Sequence, residues 1–323
     1  MLSQVLTILD HLDSPAADGP STVALLEALF DPAAPQPRPE VTWERVTGAK
    51  GHTDFVTVRV PGLSGRTVGG ASPTLGGIGR RGGSGARPEL VGYVSDGDGA
   101  TAALAVAHKL LTMFTRGDRL DGDVIVSTHV CAWAPTRPHK PVPFMDSPVG
   151  IAEMNEHEVL TEMEAILSID TTKGNRILNH RGIAISPTVR QGYILPASAD
   201  LVSLLETVTG EPAQVFALAT QDITPYGNGL HHLNSILQPA VSTTAPVVGV
   251  AITTVTPVAG CATGASHETD IALAARFCVE VAKGFAPGTL SFHDAAEFEE
   301  LTRRYGSAAL LQTSGDGPLR EED

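Results

Sequence analysis

The chain has 323 residues, of which 42% are hydrophobic and 18% charged, and its formal net charge is -14. This length allows one large domain or two smaller ones, and the hydrophobic content argues against wholesale disorder. The negative charge disfavours nucleic acids and anionic membrane surfaces as partners, because both require a basic surface on the protein.

The sequence favours a cytoplasmic protein. It contains no transmembrane run, and its first residues lack the basic flank and cleavage site of a signal peptide. The three cysteines are odd in number and widely spaced, which fits a reducing compartment and excludes a Cys-rich zinc site.

Changes in composition along the sequence predict that the chain is divided into three regions. Residues 1–40 read as an N-terminal helical segment, with helices over 2–13 and 21–30, followed by a proline-rich linker. Residues 41–290 are expected to form an α/β domain of catalytic type. Residues 291–323 should form a C-terminal helix and, from 313 onward, a polar and disordered tail.

The stretch from Val91 to Ala100 is the centre of the predicted architecture. An apolar run over 91–94 leads into Asp96 and Asp98 and then into an amphipathic helix over 99–115, which predicts strand, tight turn and helix. Ligands of open α/β sheets bind at the carboxyl ends of the strands, so the two carboxylates should lie at that crevice. Either aspartate alone could be a helix N-cap, but two within three residues exceed what one cap requires.

Glycine dominates residues 67–88. Residues 77–82 match the dinucleotide-binding pattern, but the Gly- and Pro-rich sequence that follows cannot open the helix that this pattern requires. We therefore interpret the stretch as a loop whose backbone amides, with Arg80 and Arg81, hold a small anion such as a substrate carboxylate. A flexible, solvated loop is the alternative.

A predicted strand over residues 53–60 follows a His-x-Asp pair, His52 and Asp54, whose spacing can chelate a metal. The pair is short enough to arise by chance, and a structural or surface role is the alternative.

Residues 123–131 predict a buried strand with His129 near its carboxyl end, where side chains reach the crevice. The proline-rich loop that follows brings His139 and Arg137 near the same edge. Cys131 could be a nucleophile beside His129, but without a local signature a buried thiol is the preferred interpretation.

Residues 153–164 predict an acidic helix that leads into a strand over 165–172, which again finishes in an acid, Asp170. Two strands that end in aspartate are hard to explain by packing alone. The alternative is that Lys173 or Arg176 simply neutralises Asp170.

The second half predicts a helix over 199–208 capped by Ser198, a strand over 214–219 and a strand over 246–254. The polar, glycine-punctuated segment 220–235, which includes Asn228 and His232, suits substrate recognition. His267 lies at the start of the last long amphipathic helix, where an imidazole can be presented to a site.

Several long segments resemble the family catalogued as domain of unknown function 1177 (DUF1177), and the similarity spans about residues 45–285. It transfers no established activity. The segments are 73–76, 94–100, 134–139, 143–145, 168–175 and 220–229.

The order of the candidate metal ligands along the chain also resembles that of the co-catalytic zinc aminopeptidases. This resemblance implies a three-layer α/β/α fold with a mostly parallel central sheet, which is zinc-exopeptidase-like. Asp98 matches the bridging metal ligand, with Asp96 as the alternative, Asp170 matches a later Asp ligand and His267 the last His ligand. At the place of the family's Glu-Glu pair this chain has Thr128 and His129, so the general base and one metal ion are not accounted for.

Together these features favour a metal-dependent hydrolase of a small peptide or amide, in which a divalent ion, zinc by resemblance, activates water. The partner would be a small molecule or short peptide, and a homo-oligomeric assembly is compatible with the sequence. The competing readings are a small-ligand binding protein without turnover and a metal-free isomerase that uses Cys131 or a His/Asp pair. The expected metal ligands are Asp98 or Asp96, His129, Asp170 and His267; the expected base is Glu153 or His139; the expected substrate-binding residues are Arg80, Arg81, Asn228 and His232.

Overall fold

A mixed β-sheet forms the centre of the molecule. The computed structural model describes residues 1–80, 83–233, 235–258 and 260–312. Within these ranges the strands are β1 Glu40–Gly48, β2 Gly51–Val60, β3 Leu75–Gly79, β4 Val124–Val130, β5 Thr136–Arg137, β6 Phe144–Met145, β7 Ala165–Thr171, β8 Gly182–Ile185, β9 Val189–Arg190, β10 Tyr193–Ile194 and β11 Val247–Thr253. The helices are α1 Leu2–Leu12, α2 Gly19–Glu27, α3 Asp98–Thr115, α4 Ile151–Glu158, α5 Ala199–Thr209, α6 Glu268–Phe285 and α7 Ala295–Tyr305.

The sheet has the order β1-β2-β4-β3-β7-β11-β9-β10, with β8 also paired to β11. The four central strands, β4, β3, β7 and β11, run parallel to one another, and antiparallel pairs flank them on both sides. The central strands are buried along almost their whole length because both faces of a parallel sheet are covered. The α/β class and the parallel centre of the predicted sheet are confirmed.

Two layers cover the sheet. On one face α1, α3, α5 and α6 form the larger core with residues such as Leu167 and Ile169 of β7. On the other face Ile166 of β7 belongs to a second core. That layer is built from α4 and from short 3₁₀ turns over Thr220–Ile223 and Gln238–Val241.

The predicted strand over residues 91–94 is wrong. These residues have no strand structure, and a single 3₁₀ turn over Ser95–Gly97 leads directly into α3. The strand next to α3 is β3, which lies inside the glycine-rich stretch predicted to be a loop. A Cβ atom on Gly79 would lie 2.8 Å from the Cβ of Ala103 in α3, so glycine here permits close contact between helix and sheet.

The predicted strand over 214–219 is also wrong, because only an isolated bridge joins Val215 to Ile185. By contrast, α5 is capped by the side chain of Ser198 and ends at Gly210 in the left-handed conformation, as its sequence predicts. The helix predicted over 153–164 lies earlier and is shorter, at Ile151–Glu158.

The N-terminal helices pack on the sheet domain, with α1 against α3 and α6 and α2 against β1. Asp54 of β2 links the start of α2 to the sheet. Its carboxylate pairs with Arg45 at 2.7 Å and accepts a hydrogen bond from the backbone N–H of Gly19. The predicted tail from residue 313 lies outside the described residues. No helix in the described ranges is long and apolar enough to cross a membrane.

Candidate functional site

The carboxyl ends of three neighbouring strands bring polar residues together at one edge of the sheet. Gly79 at the end of β3 is in register with Thr128 of β4 and with Ile169 of β7. Arg80, His129 and Asp170 each follow one of these positions, so they lie side by side at this edge. The 3₁₀ turn that contains Asp96 and the first residue of α3, Asp98, cover the same edge.

A buried chain of charged groups begins at Arg80 and ends at His129. Arg80 Nη1 donates to Glu158 Oε2 at 2.5 Å, and the other carboxylate oxygen of Glu158 lies 2.6 Å from His129 Nδ1. The side chains of Arg80, Glu158 and His129 are 1%, 0% and 3% exposed. Glu158 is the last residue of α4, and its own carbonyl accepts a hydrogen bond from Ser127 Oγ, which ties the end of α4 to β4.

This chain of contacts fixes the orientation of His129. A carboxylate can only accept a hydrogen bond, so Nδ1 of the ring carries the proton and Nε2 is the ring nitrogen not engaged by Glu158. A buried carboxylate that holds one nitrogen of a histidine in this way is found behind catalytic bases and behind metal ligands alike. Arg80 was predicted to bind a substrate anion, but its guanidinium is buried and bound to Glu158.

His129 lines a cleft of about 340 Å³. A cavity of this size holds a small molecule. The polar lining includes Asp96, Cys131, Arg137 and Tyr226, and the apolar lining includes Met145, Val149, Ile151 and Met154.

Cys131 reaches the cleft but is largely buried. Burial raises the pKa of its thiol to about 11, so the group is protonated at neutral pH. A protonated thiol is a poor nucleophile, which disfavours the cysteine-based mechanism.

A second cluster surrounds Asp98. Lys173 Nζ donates to Asp98 Oδ2 at 3.1 Å and to the carbonyl of Ala265 at 2.9 Å, while Ser266 Oγ donates to Asp98 Oδ1. Burial raises the pKa of Asp98 to about 6, against the opposing effects of the Lys173 charge and the Ser266 hydrogen bond. Lys173, which the sequence offered as one alternative partner of Asp170, forms an ion pair with Asp98.

Asp170 is bound by other groups. Its Oδ1 accepts a hydrogen bond from the backbone N–H of Thr171 at 2.7 Å, and its Oδ2 accepts one from Ser235 Oγ at 3.2 Å. His267 precedes α6 and is exposed to solvent.

These contacts do not form the predicted metal site. Among the described residues, no three His, Cys, Asp or Glu side chains are grouped so that they could hold a metal ion. Both carboxylate oxygens of Asp98 accept hydrogen bonds from Lys173 and Ser266. The expected ligand set thus does not fit a metal ion, and we assign no step of a reaction to one.

The family model described as "Protein of unknown function (DUF1177)" matches residues 44–315. The chain belongs to the DUF1177 family. The family predicted from the sequence segments is thereby confirmed, and the match spans both the cleft and the Asp98 cluster. No curated protein sequence matches this chain.

Among solved structures, the crystal structure of Acidobacteriales bacterium glutaminyl cyclase is 14% identical to this DUF1177 member. The match covers 89% of this chain and 94% of that chain, with a TM-score of 0.49. A likeness of this degree carries no information on activity.

The cytoplasmic location, the homo-oligomeric assembly and the domain boundaries at residues 40 and 290 stay predictions.

The two residues predicted as the general base are not part of the cleft lining in the described ranges, although Glu153 lies between the lining residues Ile151 and Met154. The described residues that line it include neither Glu153 nor His139. His139 is exposed, and its Nδ1 lies 3.0 Å from the carbonyl of Val142.

The polar segment 220–235 reaches the cleft through Tyr226. His232 lies behind it, with ring centroids 4.5 Å apart, and its Nε2 lies 3.1 Å from Thr224 Oγ1. Asn228 donates to the same Thr224 hydroxyl at 2.9 Å. These two predicted substrate-binding residues thus support the loop that carries Tyr226, and Arg81 lies outside the described residues.

Sequence reasoning missed Glu158 and Tyr226 as residues of the site, whereas Arg137 was expected near this edge and lines the cleft. Glu158 lies in a run of several glutamates, and no spacing distinguishes it from its neighbours. Tyr226 could have been found, because it is the one aromatic residue in a segment that was already expected to recognise substrate.

Proposed function

We propose that this DUF1177 member is an enzyme that hydrolyses a small peptide or amide, with His129 as the general acid and base. The observation that carries the proposal is the buried chain Arg80–Glu158–His129, which ends at a cleft of about 340 Å³. Buried ionic chains are costly to maintain, and one that ends on a histidine in a cleft is a candidate for catalysis.

The geometry provides for proton transfer at Nε2 of His129. With the Nδ1 proton held by Glu158, Nε2 can accept a proton from a water molecule as that water attacks the substrate carbonyl. The same nitrogen can then return the proton to the amine that leaves. Glu158 stabilises the imidazolium that forms between these steps, and Arg80 balances the charge of Glu158 when the ring is neutral.

The lining of the cleft suits a short substrate with both charged and apolar parts. Asp96 lines the cleft as an acid suited to a cationic amine, and Arg137, whose side chain is 58% exposed and whose Nε lies 3.9 Å from Asp146, can bind a substrate carboxylate. Met145 and Met154 provide apolar, adaptable walls. A dipeptide or an amino-acid amide combines these features.

The proposal is tested by incubating the purified protein with mixtures of dipeptides, amino-acid amides and N-acyl amino acids, followed by mass spectrometry. Hydrolysis adds the mass of one water, isomerisation changes retention but not mass, and a binding protein changes neither. We expect hydrolysis of at least one class of substrate. His129→Gln should reduce its rate about 10²- to 10⁴-fold, the contribution typical of general acid–base catalysis.

The matched control is His108→Gln, which changes a half-buried histidine of α3 that does not line the cleft. It should leave the rate unchanged. Hydrolysis that persists in His129→Gln would contradict the assignment of His129, and thermal stabilisation by a ligand without turnover would favour the binding protein.

A further inference from the structure

The place where the sequence predicts a metal ion contains a lysine ammonium group. We infer that Lys173 is the permanent cation of the Asp98 cluster and that this cluster binds no divalent metal. The inference concerns a group of residues outside the cleft, and it holds or fails independently of the proposed hydrolysis.

Lys173 joins the same three segments of chain that a shared metal ion was expected to join. It follows β7, three residues after Asp170, and its Nζ donates to Asp98 at the start of α3 and to the carbonyl of Ala265 before α6. Asp98, Asp170 and His267 were predicted to meet around an ion from these same segments. A single ammonium group with three donors can make such a connection without a metal.

Both oxygens of the carboxylate at the centre of the cluster already accept hydrogen bonds from donors of this chain. Lys173 occupies Oδ2 of Asp98, and Ser266 occupies Oδ1. A divalent ion at either oxygen would compete with the donor already there, and it would lie beside the ammonium group of Lys173. Like charges in a buried site repel strongly, so the ammonium and the metal exclude each other.

Burial makes this arrangement hard to open. The side chain of Lys173 is 9% exposed and that of Asp98 is 0% exposed. A charged group in such a place needs its partner, because removal of either one leaves the other buried and uncompensated. Replacement of the Lys173 ammonium group by a metal ion from solvent is therefore unfavourable.

Lysine footprinting tests the inference on the intact protein. The native protein is acetylated briefly with and without excess zinc chloride, and the modification of each lysine is measured by peptide mass spectrometry. Lys173 should react severalfold more slowly than the exposed Lys140, and zinc should not change its rate. Release of Lys173 by zinc, seen as faster acetylation of this residue alone, would overturn the inference.

Zinc content after equilibrium dialysis provides the second measurement. The wild type and His267→Gln should retain equal amounts of zinc, because any ion that binds does so elsewhere. His267 is exposed, so its replacement is compatible with folding. One zinc ion per chain that is lost in His267→Gln, or in Asp98→Asn if that variant folds, would show that the cluster is a metal site after all.

Discussion

Replacement of Glu158 by glutamine tests the buried chain of charges most sharply. Glutamine has the shape of glutamate, so the substitution removes the negative charge and leaves the packing in place. Its amide oxygen can still accept the hydrogen bond from Arg80. Its NH₂ group then faces His129 Nδ1, where a donor replaces an acceptor.

The expected loss of stability follows from what remains around Arg80. In the described residues the Nε and Nη2 atoms of Arg80 are buried without a hydrogen-bond partner, so Glu158 is the group that compensates its charge. Breaking a buried ion pair by removing one partner costs about 3–5 kcal/mol. We expect Glu158→Gln to lower the free energy of unfolding by this amount.

Urea unfolding followed by far-UV circular dichroism measures the change. The double variant Arg80→Met with Glu158→Gln should regain part of the loss, because it removes the uncompensated charge as well. Glu300→Gln is the control, since the ion pairs of Glu300 with Arg303 and Arg304 are exposed and its loss should have no measurable effect. A loss below about 1 kcal/mol for Glu158→Gln would refute the description of a buried, charge-balanced chain.

Three further predictions concern other parts of the molecule. Burial raises the pKa of Cys131 to about 11, so a thiol reagent at neutral pH should titrate the half-buried Cys261 well before Cys131; equal rates would contradict this. Burial raises the pKa of Asp98 from 3.8 to about 6, so the folded protein holds a proton that the unfolded chain releases. The free energy of unfolding of the wild type, measured in urea relative to Asp98→Asn, should therefore fall by about 3 kcal/mol in total as the pH rises from below 3.8 to above about 6. If the free energies of the two proteins change with pH in parallel, the raised pKa of Asp98 is disproved. A Cβ atom at Gly79 would lie 2.8 Å from a backbone oxygen at the start of α3, whereas one at Gly150 meets no atom within 4 Å. Gly79→Ala should lose about 1–3 kcal/mol of unfolding free energy and Gly150→Ala much less, and similar losses would be inconsistent with the close contact.

Local signals in the sequence were sufficient to predict the helices and strands whose ends and buried faces depend on residues near them in the chain. The cap at Ser198 and the glycine at position 210 define α5, and short apolar runs mark β4, β7 and β11. β3 escaped detection because it is rich in glycine, and the close contacts that favour glycine come from partners distant in sequence, α3 at Gly79 and Met163 at Gly76. The run at 91–94 was misread because a short apolar run does not by itself specify a strand; here Val94 is buried in a loop and Val91 is 96% exposed.

The candidate site was predictable only in part, for the same reason. Strand ends meet at one edge of a sheet, so the placement of His129 and Asp170 there followed from the topology. What each side chain binds did not follow. Glu158 reaches His129 from another element, and Lys173 reaches Asp98 across the sheet edge, contacts that no local spacing encodes.

The protonation pattern of the His129 ring is the most direct test of the proposed catalytic arrangement. Long-range ¹H–¹⁵N correlation spectra of protein labelled at histidine, assigned with His129→Gln, show which nitrogen carries the proton. We predict that the His129 ring carries a proton on Nδ1 in the wild type, and that this proton shifts to Nε2 in Glu158→Gln. A wild-type ring with its proton on Nε2 would contradict the account, because that nitrogen could then not act as the base in the cleft.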